Sequence, residues 1–104
     1  MTYSAPPQVL EGLRGLGSYT GTGASLNVSV GFQPRYIHIF NISAGAIPAT
    51  RRGGFKSDFM SGNNAIDHTG STAVGVTFTA TGFTVDGVAL FNTSTDSYTY
   101  YAIR

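Results

Sequence analysis

Residues 35–42 have the sequence RYIHIFNI, which is apolar on both sides of an extended chain. Successive side chains of a strand point to opposite faces of the sheet. Tyr36, His38, Phe40 and Ile42 therefore share one face, and Ile37 and Ile39 share the other. Two apolar faces are typical of a central strand, or of a strand covered on its outer side by a partner. The stretch predicts a β-protein built around residues 35–42.

Strand patterns continue on both sides of this stretch. Residues 26–30 (LNVSV) alternate between apolar and polar, as a half-buried strand does. Asp86-Gly87 is a strong turn signal, and residues 92–96 (NTSTD) predict a hairpin loop. Further strands are predicted within 55–60 and at 72–80, 82–85, 88–91 and 97–104. Short strands with turns at this spacing predict an all-β protein, an antiparallel β-sandwich or jelly-roll-like barrel.

The first 17 residues differ from the remainder of the chain. Pro6-Pro7 favours an extended path. Three leucines follow at a spacing of three, which fits one helical turn: Leu10, Leu13 and Leu16. Either this is a loosely packed leader, or it is an arm that places its leucines on a neighbouring subunit. The predicted organisation is an extended N-terminal arm at 1–17 and a single β-sandwich domain at 18–104.

The composition excludes several classes of partner. Lys and Arg number 6 and Asp and Glu number 5, so 11% of the residues are charged, against about 25% in typical proteins. A net charge of +1 provides no electrostatic footprint for nucleic acid or anionic membrane. No stretch resembles a signal peptide or a membrane span. A surface with so few charges is either neutral and polar or covered by other subunits.

Residues with catalytic or metal-binding chemistry are few and scattered. The absence of cysteine excludes disulfides and thiolate sites. His38 lies in mid-strand and is interpreted as a packed or interface histidine. Asn63, Asn64 and Asp67 offer oxygens to a cation, but one carboxylate makes a weak calcium site. We therefore expect no catalytic residue, no cofactor and no metal, and a protein that is not an enzyme.

Two other stretches are candidate contact sites. Residues 43–71 form a long irregular section in which Arg51-Arg52 is the one local concentration of charge, and long loops in small domains are often functional. In residues 97–104, Tyr98 and Tyr100 share one face of the strand and Tyr101 lies on the other. We expect one face to complete the sheet of the domain and the other to contact another subunit.

Two segments resemble a known group of proteins. Residues 17–41 (GSYTGTGASLNVSVGFQPRYIHIFN) and 78–104 (FTATGFTVDGVALFNTSTDSYTYYAIR) are similar to small β-modules of tailed-phage virion proteins, which occur as capsid decoration (cement) proteins and as tail-fibre tips. The resemblance leaves residues 43–71 unmatched. It implies an oligomeric virion protein, commonly trimeric, without catalytic residues. A chain of 104 residues without a coiled-coil stem favours decoration over a fibre.

The leading expectation is a decoration protein that binds and stabilises the assembled head shell. Its partners would be other copies of itself in a trimer and the major capsid protein. It would be made in the host cytoplasm and would lie on the outer surface of the capsid in the virion. The expected contact residues are Leu10, Leu13, Leu16, Arg51, Arg52, Tyr98, Tyr100 and Tyr101. One alternative is a tail-fibre or spike tip that binds a host glycan, and another is a secreted sugar-binding domain.

Overall fold

The computed structural model describes residues 14–104, and most of their regular structure is strand. The strands are β1 (Arg14–Thr20), β2 (Leu26–Ser29), β3 (Tyr36–Asn41), β4 (Gly53–Ser57), β5 (Asn64–Asp67), β6 (Thr72–Val74), β7 (Val76–Thr79), β8 (Gly82–Val85) and β9 (Ser97–Ile103). A short helix, α1, covers Ala89–Asn92, and a 3-10 helix covers Ala49–Arg51.

The strands form two antiparallel sheets. The larger sheet has the order β1-β9-β3-β4-β5-β6, and the smaller has the order β2-β8-β7. The sequence-based prediction of an all-β antiparallel protein is confirmed, and the two sheets are compatible with a β-sandwich. The predicted central position of residues 35–42 is also confirmed, because β3 pairs with β9 on one side and with β4 on the other.

The core lies between the two sheets. Ile37 and Ile39 point inward from β3 and are fully buried, as are Phe83 and Val85 of β8. The ring of Phe83 meets that of Tyr100 from the larger sheet edge-on, with centroids 5.3 Å apart. Burying side chains of this size stabilises a fold by roughly 1.5–3 kcal/mol each. The alternation seen in the sequence thus assigns one face of the larger sheet to the core and leaves its opposite face outside.

The boundary predicted between arm and domain, after residue 17, falls inside β1. This strand pairs with β9 from Arg14 opposite Ile103 to Thr20 opposite Ser97. Gly17 permits this, since a Cβ there would lie 2.6 Å from the hydroxyl of Tyr100. Leu16 is therefore a strand residue and not part of a helical turn. Leu10 and Leu13 lie outside the described residues.

The strand predicted at residues 72–80 is two strands in different sheets. Gly75 has a φ of +135°, a conformation that glycine adopts readily, and the chain passes there from the larger sheet to the smaller. Val74 is consequently exposed, whereas Val76 is fully buried. In one continuous strand the two side chains would share a face. Within residues 61–70, expected to be a loop, Asn64–Asp67 forms β5.

Residues 88–91 were expected to form a strand, but Ala89–Asn92 is helical. A strand would direct the neighbouring side chains of Phe91 and Asn92 to opposite faces, yet both are fully buried. Phe91 belongs to the core cluster. The side chain of Asn92 accepts a hydrogen bond from the backbone N–H of Thr22 at 2.7 Å and donates one to the carbonyl of Ala24.

Candidate functional site

The side of the larger sheet that faces away from the core is covered mainly by aromatic and aliphatic side chains. The register places them beside one another, since His38 lies opposite both Tyr101 of β9 and Phe55 of β4. We call this surface the outer aromatic face. Its members are Leu16, Tyr36, His38, Phe40, Phe55, Ile66, His68, Tyr101 and Ile103.

The rings at the centre of the outer aromatic face form a continuous layer. The centroids of His38 and Phe40 are 4.3 Å apart, and those of Phe40 and His68 are 4.6 Å apart. Tyr36 and Phe55 extend the layer, with centroids 6.3 Å apart. These separations are typical of interacting aromatic pairs. The layer is therefore a packed surface, although no second sheet of the described chain covers it.

The outer aromatic face is exposed, and its central strands are uncharged, while Arg14 of β1 lies opposite Ile103 at its edge. Leu16 is 74% exposed and Phe40 is 45% exposed, while Val74 on β6 is 47% exposed. Among the described residues, the outward positions of β3, β4 and β9 carry no Lys, Arg, Asp or Glu. Exposed apolar patches of this kind mark interaction surfaces in soluble proteins, and depletion of charge is typical of the centre of an interface.

Two histidines lie within the ring layer. The centroids of His38 and His68 are 5.1 Å apart. The Nε2 atom of His68 lies 3.2 Å from the carbonyl oxygen of Ile39, so the tautomer that bonds there carries its proton on Nε2 and donates it. The Nε2 atom of His38 is buried and has no hydrogen-bond partner within residues 14–104. Burial lowers the pKa of His38, and the neighbouring His68 lowers it further.

The terminal tyrosines divide between the two faces of the larger sheet. Tyr98 is fully buried. Its hydroxyl accepts a hydrogen bond from the N–H of Thr93 at 2.9 Å and donates one to the carbonyl of Ala89 at 3.3 Å. Tyr100 also points inward, against Phe83. Tyr98 and Tyr100, two of the predicted contact residues, therefore lie on the inner face of the sheet, where Tyr98 is fully buried and Tyr100 is half-buried. Their neighbour in β9, Tyr101, lies on the outer aromatic face.

The two predicted contact arginines have different surroundings. Arg51 Nε lies 3.6 Å from Asp96 Oδ2, and the same carboxylate oxygen accepts a hydrogen bond from Asn41 Nδ2 at 2.8 Å. Arg52 is exposed, and its Nε donates to the carbonyl of Ile47 at 2.8 Å. Arg52 also borders a shallow pocket of about 380 Å³ that Phe40 and His68 line. Arg52 thus presents its charge beside the outer aromatic face, whereas Arg51 is engaged within the chain.

Lys56, the single lysine of the chain, has an unexpected environment. Its side chain points inward from β4 and is 1% exposed. The ammonium donates three hydrogen bonds to carbonyl oxygens, at 2.8 Å to Met60, 3.1 Å to Gly62 and 2.7 Å to Asn64. Burial lowers its pKa. The sequence analysis did not predict this site. The one indication in the sequence is that residues 54 and 56, two apart in a strand, share a face, which in β4 is the inward one.

Lys56 also borders an open cleft of about 820 Å³ at one end of the two sheets. Phe32 and Phe78 line it together with charged side chains. Arg35 Nε donates to Asp58 Oδ2 at 2.9 Å, and the exposed Arg104 lies at the same cleft. The cleft therefore combines aromatic rings with polar groups, although its carboxylate is already paired.

The residues considered for a cation have other roles. Asp67 Oδ1 accepts hydrogen bonds from the hydroxyl and N–H of Thr69, at 2.6 and 2.9 Å, and from the N–H of Ser71 at 3.0 Å. These bonds, the Thr69 hydroxyl foremost, lower the pKa of Asp67. Asn63 instead donates to Asp86 at 3.1 Å. Residues 14–104 contain no group of three or more His, Asp or Glu side chains placed to hold a metal ion.

None of the helices in residues 14–104 has both the length and the apolar character needed to cross a membrane. No family model, no curated protein and no solved structure matches the chain.

Proposed function

We propose that this chain is a structural assembly module that docks through its outer aromatic face. The observation that carries the proposal is an uncharged layer of rings, with Leu16 and Phe40 exposed at 74% and 45%, on the one side of the larger sheet that the core does not use. Transferring such a surface from water to a protein contact is favourable in proportion to the apolar area removed. Binding through this surface is therefore the role that its geometry supports best.

The occupant that we propose for the face is another copy of this chain. Contact between copies brings together surfaces without charge at the central strands, and a net charge of +1 adds little repulsion at a distance. The six strands have three to seven residues, so at about 3.3 Å per residue they average about 18 Å in length and, about 4.8 Å apart, give a flat footprint of about 500 Å². A stable contact covers about 800 Å² per partner. The face alone therefore supports weak, concentration-dependent association. A larger assembly would add the contact area that a stable interface requires.

The larger assembly that we propose is a phage head shell. The support is the resemblance of residues 17–41 and 78–104 to β-modules of virion proteins, together with the low fraction of charge. In this proposal a jelly-roll-like domain with an N-terminal arm, in trimers, covers the outer surface of the capsid and contacts the major capsid protein through the arm and Arg52. Reinforcement would come from buried contact area rather than from a reaction.

Self-association can be tested with a matched pair of variants. Phe40 packs on His38 and His68 within the ring layer, whereas Phe59 is 91% exposed in the turn after β4 and lies outside that layer. We expect sedimentation equilibrium of the intact chain to show reversible oligomers, Phe40→Ser to weaken their association at least tenfold, and Phe59→Ser to leave it unchanged. A wild-type chain that stays monomeric at millimolar concentration, or equal effects of the two variants, would contradict the docking role.

The shell can be tested separately by co-sedimentation with the expanded heads of the phage that encodes the chain. We expect saturable binding, and we expect Arg52→Ala to weaken it most at low salt, because exposed charge contacts are screened by ions. Self-association without any binding to heads would retain the assembly role and remove the capsid as partner.

A second candidate function is recognition of a host glycan by a tail-fibre or spike tip. The observation that favours it is the open cleft, where Phe32 and Phe78 lie near Arg35, Asp58 and Arg104. Rings that stack on sugars, combined with polar groups that bond hydroxyls, suit carbohydrate ligands. A glycan array decides between the candidates: specific glycan binding without binding to heads would favour this one.

A further inference from the structure

We propose that docking through the outer aromatic face depends on pH, because the pair formed by His38 and His68 must be neutral when a neighbouring copy covers these two rings. The inference rests on the proposed docking role and adds its regulation. Acidification would then release copies from one another without unfolding them.

The environment of His38 opposes a positive charge. Its ring lies 4.3 Å from that of Phe40 and 5.9 Å from that of Phe55, measured between centroids. Its Nε2 is buried and finds no partner in the described part of the chain. A proton added at Nε2 would therefore become a buried donor without an acceptor, which is unfavourable in a site of low polarity. Consistent with this, burial lowers the pKa of His38.

His68 adds to this opposition. Its ring centroid is 5.1 Å from that of His38, so protonating both would place two like charges side by side. His68 Nε2 donates to the carbonyl of Ile39, which holds the His68 ring beside that of His38. A positive charge on His38 would therefore face a second imidazole ring and not an anion.

No carboxylate of the described chain compensates a positive charge on the pair. From β3 and β9 the neighbouring titratable groups are the phenols of Tyr36 and Tyr101, and from the adjoining pocket the charged group is Arg52, which is itself a cation. Neither ion pair of the described residues includes a histidine. Asp67 directly precedes His68, and its carboxylate accepts hydrogen bonds from Thr69 and Ser71.

A neighbouring copy would remove the remaining water from these rings and would make the charged forms still less favourable. Copies with protonated histidines must then release those protons in order to dock. The sign follows from linkage: free copies bind more protons than docked copies, so association is at full strength above the pKa of His38 in a free copy, which burial places below the ordinary value of about 6.5, and it falls as the pH decreases through that pKa. Each linked proton weakens association by up to about tenfold per pH unit.

The test is sedimentation equilibrium of the intact chain at intervals from pH 8.0 to 5.0, with circular dichroism to establish that it stays folded. We expect the dissociation constant to rise at least tenfold between pH 7.5 and 5.0. We expect the dissociation constant to depend less steeply on pH in His68→Gln than in the wild-type chain, and less steeply again in the double variant that also carries His38→Gln. Dilution calorimetry in two buffers of different ionisation enthalpy gives the protons bound per dissociated copy, and this measurement uses the wild-type chain alone.

The outcomes separate the two proposals. Association that is constant from pH 8.0 to 5.0, with no proton uptake on dissociation, overturns the coupling and leaves the docking role intact. Absence of association at every pH overturns both. A pH dependence that persists unchanged in the double variant also overturns the assignment to His38 and His68, because another group would then be titrating.

Discussion

Tyr100 and Tyr101 are neighbours in β9 whose side chains point to opposite sides of the larger sheet, and they provide a controlled test of what each side does. Tyr100 packs inward against Phe83, with centroids 5.3 Å apart, and its hydroxyl lies over Gly17. Tyr101 lies on the outer aromatic face opposite His38 and Leu16. We expect Tyr100→Ala to destabilise the domain, and Tyr101→Ala to weaken association while changing stability little.

The magnitudes follow from what each truncation removes. Replacing a large core aromatic residue with Ala costs about 3–5 kcal/mol, and because Tyr100 is partly buried we expect about 3 kcal/mol. Each kcal/mol lowers the Tm of a domain of this size by about 4–8 °C, which gives a decrease of about 12–24 °C. Tyr101→Ala loses strand propensity and cross-strand contacts worth about 1 kcal/mol or less.

The assay combines chemical and thermal unfolding at low micromolar concentration, where weak oligomers dissociate, with sedimentation at high concentration. Both variants remove the same side chain from adjacent positions in one strand, so each serves as the control for the other. Equal losses of stability in dilute solution would refute the assignment of the two faces. Unimpaired association of Tyr101→Ala would remove Tyr101 from the docking surface.

Three further predictions concern stability in dilute solution. Lys56→Met leaves three carbonyls without their charged donor and should cost about 3 kcal/mol, measured by urea unfolding, whereas Arg52→Met at an exposed cation should cost less than about 0.5 kcal/mol. Gly53→Ala should lower the Tm far more than Gly45→Ala: both have positive φ, but a Cβ at Gly53 would lie 2.3 Å from a backbone oxygen of β3 and one at Gly45 would meet nothing within 4 Å. Because the pKa of His38 is lowered in the fold, the free energy of unfolding should have its full value above about pH 6.5 and should decrease as the pH falls below it. In His38→Gln that decrease should be smaller than in the wild-type chain.

The parts of the fold that the sequence predicts well are those that depend on local alternation. In residues 26–30 and 35–42 the period of two assigns each side chain to a face directly, and the two faces of residues 97–104 follow from the same rule. The exposed rings of β3 were recognisable for this reason. Which of the two faces of β9 is the inner one depends on the partner strands, and the alternation alone leaves that choice open.

The parts that escaped prediction depend on contacts distant in sequence. Gly75 stands within an apparently continuous strand, and its φ of +135° has no local signature. The helical turn at Ala89–Asn92 exists because Asn92 bonds with residues about 70 positions earlier in the chain. The histidine pair likewise joins β3 to the end of β5, so the sequence shows two unrelated histidines where the fold shows one cluster.

The burial of Lys56 has a practical consequence for handling this protein. It is the single side-chain amine of the chain, and at 1% exposure with all three of its protons directed to carbonyls it is inaccessible to acylating reagents in the folded domain. Covalent modification of that amine therefore requires an opening of the structure, and its rate would report the frequency of that opening, as amide hydrogen exchange does. Amine coupling to a surface would meanwhile leave the side chains of the native domain untouched.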